Sequence, residues 1–194
     1  WMFKEGFVPD AIINYLLLLG NTEVPKEIFT LPEAIESFKL ENISKTAVEF
    51  DIEKLRFINR EHLKRIEDIP FSALFGFADA DIGKLAKLYL EECSTTKGIQ
   101  TKIDAIFSPK VLCEPYGEQM SILAELIQDA PMFSTFDAFN THLMKTSGLK
   151  GENYMNPLRY LLTGTDTGPE LSELFPLINP YLLEIATCTP SSTL

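Results

Sequence analysis

The chain has 194 residues, 45% hydrophobic and 23% charged, with a formal net charge of −11. That length buries a sizeable core in one domain or two small ones, and the composition is that of a globular protein. The acidic balance taken alone argues against a nucleic-acid partner, no signal peptide is visible, and no apolar run reaches the roughly 20 residues of a membrane span.

Residues 6–20, GFVPDAIINYLLLLG, predict one short helix, with Pro9 at its first position and Gly20 as a left-handed C-terminal cap. The stretch is apolar on nearly every face, which predicts a buried core helix. The chain opens without an initiator Met, so we expect a piece of a longer protein. A polar turn is expected at residues 21–26. Thr30 and Glu33 fit a capping box and open a helix through Phe38. Residues 44–51 read as a loop or extended piece. Asp51 then caps a helix with Ile52, Leu55, Ile58, His62 or Leu63, and Ile66 at helical spacing. Asp68, Ile69 and Pro70 break it and mark a boundary.

An aromatic-rich helix is expected at 71–77. Asp81 caps another that runs to Cys93, with Ile82, Leu85, Leu88 and Tyr89 as its apolar stripe. Residues 94–98 form a loop, and Ile99 starts a helix that Ser108 and Pro109 stop. A turn at 114–117 is the second boundary. An amphipathic helix is expected over 117–130, and Ser134 and Asp137 open another that ends at Ser147 and Gly148. Pro157 starts a helix ended by Gly164, Pro169 starts the next, and Pro180 starts the last, before a small polar tail at 189–194. Strand-like alternation is scarce. The fold class is all-α, built from many short helices, with units at residues 1–68, 69–115 and 116–194.

The chemistry of the residues is sparse. There is no nucleotide-binding glycine motif, H-E-x-x-H or G-x-S-x-G, so no catalytic residue is assigned. Cys93, Cys113 and Cys188 are odd in number and form no C-x-x-C, which fits a reducing compartment. They share no local spacing with His62 or His142, so no metal site is assigned, and both histidines read as structural. Lys45, Lys54, Arg56, Arg60, Lys64 and Arg65 are clustered, and Lys84, Lys87, Lys97, Lys102 and Lys110 form a sparser group. Both groups read first as solvated helix faces. From residues alone this is a non-catalytic helical module, either RNA-binding or a protein-interaction scaffold.

Four stretches in register over most of the chain resemble the C-terminal half of bacterial glutamyl-tRNA synthetases. They are residues 6–20; EIFTLPEAIESF at 27–38 with Ser44-Lys45 and FDIEKLRFIN at 50–59; PLRYLLTG at 157–164; and GPEL at 168–171. The resemblance implies the end of a stem-contact domain at 1–68 and a two-part α-helix cage that binds the anticodon at 69–115 and 116–194. It implies a parent enzyme that attaches glutamate to tRNA, with ATP and Mg in a catalytic domain upstream and no cofactor in this part. It also implies a cytoplasmic monomer with tRNA, not a membrane, as partner.

By the same resemblance Arg159 reads the first anticodon base; the alternative for it is a salt bridge between short helices. Gly168, Pro169 and Leu171 match the lining of that pocket, although Gly168 stands where the family often has Thr. Lys45 matches a backbone-contacting position, which positions RNA without reading it. Family members restricted to glutamate tRNA tend to carry an Arg that selects cytosine at the third anticodon base. Gly98 stands there, or Ile99 after a one-residue slip, and Lys97 beside it offers only a point charge. The resemblance therefore implies relaxed discrimination between glutamate and glutamine tRNA.

Overall fold

A computed structural model describes residues 1–21, 26–45, 48–112 and 115–189 of the chain. The expected turn at 21–26, the boundary turn at 114–117, Cys113 and the polar tail lie wholly or partly outside these residues. Eleven α-helices and two short strands carry the described chain, so the all-α expectation holds.

A 3-10 turn at Met2–Glu5 leads into α1 (Pro9–Gly20) and α2 (Leu31–Ser37). Pro9 occupies the first turn of α1 as expected. Gly20 differs: it lies inside the helix, and the cap is extended Asn21. The left-handed glycine of this stretch is Gly6, at φ +86°. Nor is α1 buried all round. Ala11, Ile12, Asn14 and Tyr15 face inward, while Ile13 and Leu16 are 38% and 51% exposed. The reason is coverage, since α1 packs mainly on one neighbour, α3 (Ile52–Arg65), and more lightly on α2. The Thr30–Glu33 capping box of α2 is present, and Asp51 caps α3 by accepting the Lys54 N–H at 3.0 Å.

Next come α4 (Asp68–Ala73) and α5 (Ala80–Leu88), which runs on as a 3-10 turn, Tyr89–Glu91. Pro70 does not break a helix; it sits in the first turn of α4, where a missing N–H costs little. The cap of α5 is Asp79 rather than Asp81, taking the Asp81 N–H at 2.7 Å. The next helix, α6 (Thr96–Phe107), starts three residues before Ile99, because Thr95 caps it. Part of the expected loop at 94–98 is therefore helical.

After α6, Lys110–Val111 (β1) pairs in parallel with Cys188–Thr189 (β2), a two-residue ladder that no alternation announced. Between them lie α7 (Gly117–Gln128), α8 (Phe136–Ser147), α9 (Glu152–Thr163), α10 (Leu171–Ile178) and α11 (Leu182–Ile185). Thr135, not Ser134, caps α8, and Gly148 and Gly164 close α8 and α9 in left-handed conformations. Pro157 lies inside α9 on its buried face rather than at its start. One apolar cluster runs from Leu63 through Phe71, Ile82, Ile103, Leu123, Leu158 and Phe175 to Ala186, and a smaller one joins α1 to the first half of α3.

Candidate nucleic-acid interface

The site grows from the loop between α9 and α10. Gly164 turns the chain out of α9, and two threonines stiffen the loop. The Thr163 hydroxyl donates to the Arg159 carbonyl at 2.8 Å, and the Thr165 hydroxyl to the Thr167 carbonyl at 2.8 Å. Gly168 then adopts φ +137°, a region that residues with side chains rarely enter, so the backbone itself calls for glycine.

Arg159 projects from α9, half-buried, and its Nη1 donates to the Pro169 carbonyl at 2.9 Å. Among the described residues it forms no ion pair. Glu170 precedes α10 without capping it through its side chain, which leaves N–H groups of the first turn without that partner.

Across from this loop lies the end of α5. A Cβ placed on Gly168 would stand 3.6 Å from the Tyr89 ring and 3.7 Å from Glu92 Oε1. Tyr89 is buried, and that burial raises its hydroxyl to about 12. Glu92 accepts from Lys102 at 2.9 Å, and the Lys102 ammonium lies over the Tyr89 ring at 5.7 Å. Arg159, Gly168, Pro169, Tyr89, Glu92 and Lys102 thus form one cluster of two cations, one acid and one aromatic. Sequence reasoning places Tyr89 only in an apolar stripe and Lys102 only in a sparse basic group, and it gives Glu92 no role. No local signal links the three, because Tyr89 and Glu92 border Gly168, and Lys102 reaches Tyr89 and Glu92, only once α5, α6 and α9 are packed.

Gly98 sits behind the same turn, in the first turn of α6, and its N–H donates to Thr95 Oγ1 at 3.3 Å. A Cβ at this position would meet Cys93 Cβ at 3.2 Å and its sulfur at 3.4 Å. Ile99 is fully buried, and Lys97 pairs with Glu5 at 3.1 Å. Thr101 lies well inside α6 and donates to the Lys97 carbonyl at 3.1 Å. Leu171 is 2% exposed and belongs to the core, so its side chain is closed to a ligand. Lys45 is exposed on the segment leading to α3 and does not line this cluster.

The two histidines are structural. His62 meets Asn14 Oδ1 at 2.9 Å, and burial lowers its pKa; His142 stacks beside Phe133 at 5.1 Å. Among the described residues no group of His, Cys, Asp and Glu could hold a metal ion, and no helix is long and apolar enough to cross a membrane.

Residues 52–181 match the family described as Anticodon binding domain. The chain is 57% identical over 187 residues to glutamate--tRNA ligase 2 of Sulfurovum sp., covering 96% of this chain and 44% of that protein. It is 50% identical over 185 residues to glutamate--tRNA ligase 1 of Nitratiruptor sp., covering 95% and 42%. Its fold is that of part of a crystal structure of a glutamate tRNA ligase from Elizabethkingia meningosepticum, at a TM-score of 0.65 and 24% identity, covering 95% of this chain and 41% of that one. The chain spans less than half the length of these relatives.

Proposed function

The chain belongs to the anticodon binding domain family, and from that premise we propose that it is the tRNA-reading part of a glutamate--tRNA ligase. The whole protein would activate glutamate with ATP and attach it to tRNA. ATP and Mg would be held by a catalytic domain whose H-I-G-H-type and K-L-S-K-R-type motifs do not occur in these 194 residues. This part alone would bind tRNA as a cytoplasmic monomer and catalyse nothing.

The observation that carries the reading is Arg159. Its guanidinium is fixed by one bond to the Pro169 carbonyl at 2.9 Å, has no carboxylate partner among the described residues, and stands beside the start of α10. A guanidinium with donors to spare, oriented by the backbone, suits the edge of a splayed anticodon base. Gly168, Pro169 and the backbone at Leu171 would complete the pocket, and Lys45 would meet a phosphate.

We extend the reading to relaxed discrimination between glutamate and glutamine tRNA, whose anticodons differ at the third base. What supports it is the surroundings of Gly98. The position has no side chain, Cys93 crowds any Cβ there, Ile99 is buried, and Lys97 is engaged by Glu5. No guanidinium fork is offered to cytosine from residues 97–99.

Mobility-shift titrations with anticodon stem-loops test the binding. We expect weak, salt-sensitive complexes, and a loss of roughly ten- to hundredfold for Arg159→Ala, the size of one good base contact. A folded chain that shifts no stem-loop at low salt would instead be an interaction scaffold. For discrimination, charging assays on the full-length enzyme that showed a strong preference for glutamate tRNA would refute the extension.

A further inference from the structure

Where the end of α7, the segment leading to α8 and the start of α11 converge, the body holds a cavity of about 120 Å³. Buried Ile127 and Phe139 line it from the core, and Met132 and Leu183 stand at its mouth, 89% and 59% exposed. The walls are set without a ligand. Asn179 Nδ2 donates to the Phe133 carbonyl at 2.9 Å, and Gln128 Nε2 donates to the Leu183 carbonyl at 2.9 Å. The Phe133 ring meets Phe139 edge-on at 6.0 Å. Asn179 is the one polar side chain among the described residues of the lining, and its amide is engaged by the wall itself. Apolar cavities of roughly 150 Å³ stay dry and take one benzene, so this one has the size of a single large apolar side chain.

The surroundings of this cavity are acidic. Asp129 and Glu184 follow and precede its lining directly in sequence, beside Ala130 and Leu183. Glu125 stands one turn before Asp129 on α7, whose N–H returns to the Glu125 carbonyl, and Asp137 lies in the first turn of α8. All four are exposed, and among the described residues none of them forms an ion pair. The bases of this part of the chain lie elsewhere: Lys145 in the last turn of α8, Lys150 beyond it, and Arg159 against the α9–α10 loop. An apolar socket thus sits among acids that have no partner within the chain.

We propose that this cavity docks a protein segment that presents one large apolar side chain between Lys or Arg residues. The inference goes beyond tRNA reading and is independent of it. The unpaired acids select the occupant. They oppose a phosphate backbone, and they oppose a second copy of this chain, since a symmetric contact brings the same patch, acids included, to both sides. A cationic segment is attracted by each of them. The apolar side chain supplies the anchor, filling a preformed pocket, while the acids set the orientation of the segment and speed its encounter. Exposed Met132 suits the mouth of such a socket, because its unbranched thioether adapts to the shape of what enters.

The test is a methyl NMR titration of the 194-residue chain with a synthetic peptide that carries one Leu between pairs of lysines. Saturable shifts are expected at the methyl groups of Met132 and Leu183. Replacing the Leu of the peptide by Ala should weaken binding about tenfold, and high salt should weaken it several-fold. The double variant Asp129→Asn, Glu184→Gln should lose most of that salt dependence. The double variant Met132→Ser, Leu183→Ser should bind the peptide about tenfold more weakly with its binding of anticodon stem-loops unchanged. Absence of saturable shifts at Met132 and Leu183, or equal binding of the Leu and Ala peptides, would overturn the proposal. So would equal binding of a peptide with Glu in place of Lys. Self-association of the chain that the Met132→Ser, Leu183→Ser variant abolishes would reassign the face to a second copy and overturn it, and displacement of the peptide by a stem-loop would reassign it to RNA. If a variant does not fold, the peptide series on the wild-type chain decides by itself.

Discussion

Among the described residues of 1–51, Phe7, Ala11, Ile12 and Tyr15 are buried in a small core shared with Leu55 and Ile58 of α3, while Trp1, Phe3, Leu16, Ile35 and Leu40 are exposed. Residues 52–189 bury a far larger continuous cluster, from Leu63 to Ala186. The first region is seated instead by directional bonds. Asn59 accepts the Val8 N–H at 2.8 Å, the Thr96 N–H meets the Gly6 carbonyl at 3.0 Å, and the His62 ring meets Asn14 Oδ1 at 2.9 Å. Apolar content and burial are therefore separate quantities in this chain. A layer held by a few hydrogen bonds is placed accurately but opens at lower free energy than a packed core.

The largest expected effect breaks the packed region. A Cβ on Gly83 would lie 2.0 Å from the Asp68 carbonyl oxygen, where α4 and α5 cross backbone to backbone. Gly83→Ala must push the helices apart and with them Phe71, Ile82 and Leu85, at a cost of about 3 kcal/mol or more. Thermal unfolding followed by circular dichroism measures it. An unchanged midpoint would mean that the crossing is looser than the core around it.

A smaller effect should separate the two regions. Gly6 has φ +86°, and its Cβ would stand 2.5 Å from the Lys97 nitrogen and 2.9 Å from the Thr96 nitrogen. Gly6→Ala strains the turn and breaks the seat on α6, for about 2 kcal/mol. The loss should fall on residues 1–51, read as faster proteolysis there and altered fluorescence of Trp1, the sole tryptophan. The helical content of residues 52–189 should survive. A cooperative loss of both would show that the layer and the body unfold as one unit.

The same contrast explains what could be read from sequence. Caps with local chemistry were legible: Pro9 in α1, the Thr30–Glu33 box, Asp51 on α3 and Gly164 after α9. The all-α class and most helices came from periodicity. Caps failed where two candidates stood close together, Asp79 against Asp81 and Thr135 against Ser134, because backbone geometry chooses between them. Pro157 misled because proline in a helix interior costs about 3 kcal/mol, which the buried face of α9 offsets. The exposure of α1 was illegible, since it depends on what covers the helix. At the candidate site, motif matching singled out Arg159, Gly168 and Pro169, which the fold brings together. Tyr89, Glu92 and Lys102 join them only through the packing of α5 and α6 against the α9–α10 loop, which no local pattern encodes.

Opposite shifts in pH should act on the two regions in turn. In the body, Lys110 is buried, with its ammonium donating to the Ile106 and Ile185 carbonyls, and burial lowers its pKa from 10.5 to about 8. Below pH 8 both folded and unfolded chains carry that proton, and the folded chain bears the full cost of burying the charge. Between pH 8 and the unfolded value the folded chain has released the proton and the unfolded chain has not, so stability rises with pH, by about 2 kcal/mol up to pH 10. Denaturant unfolding should show this rise, and Lys110→Met should flatten it. Above pH 10 the slope should reverse, because folded Tyr89, raised to about 12 by burial, keeps a proton that the unfolded chain gives up. In the layer the sensitive range lies on the acid side. Burial depresses the pKa of His62, with Asp10 opposing the shift and Arg65 adding to it. Below the ordinary histidine value the unfolded chain therefore binds a proton that the folded one resists, and the seat formed with Asn14 loses stability as pH falls. This is the smaller effect, and it should appear in Trp1 fluorescence between about pH 7 and about pH 5 without a change in the helical signal of the body. A flat Trp1 signal over that range would mean that packing on α3, not the His62–Asn14 bond, seats the layer.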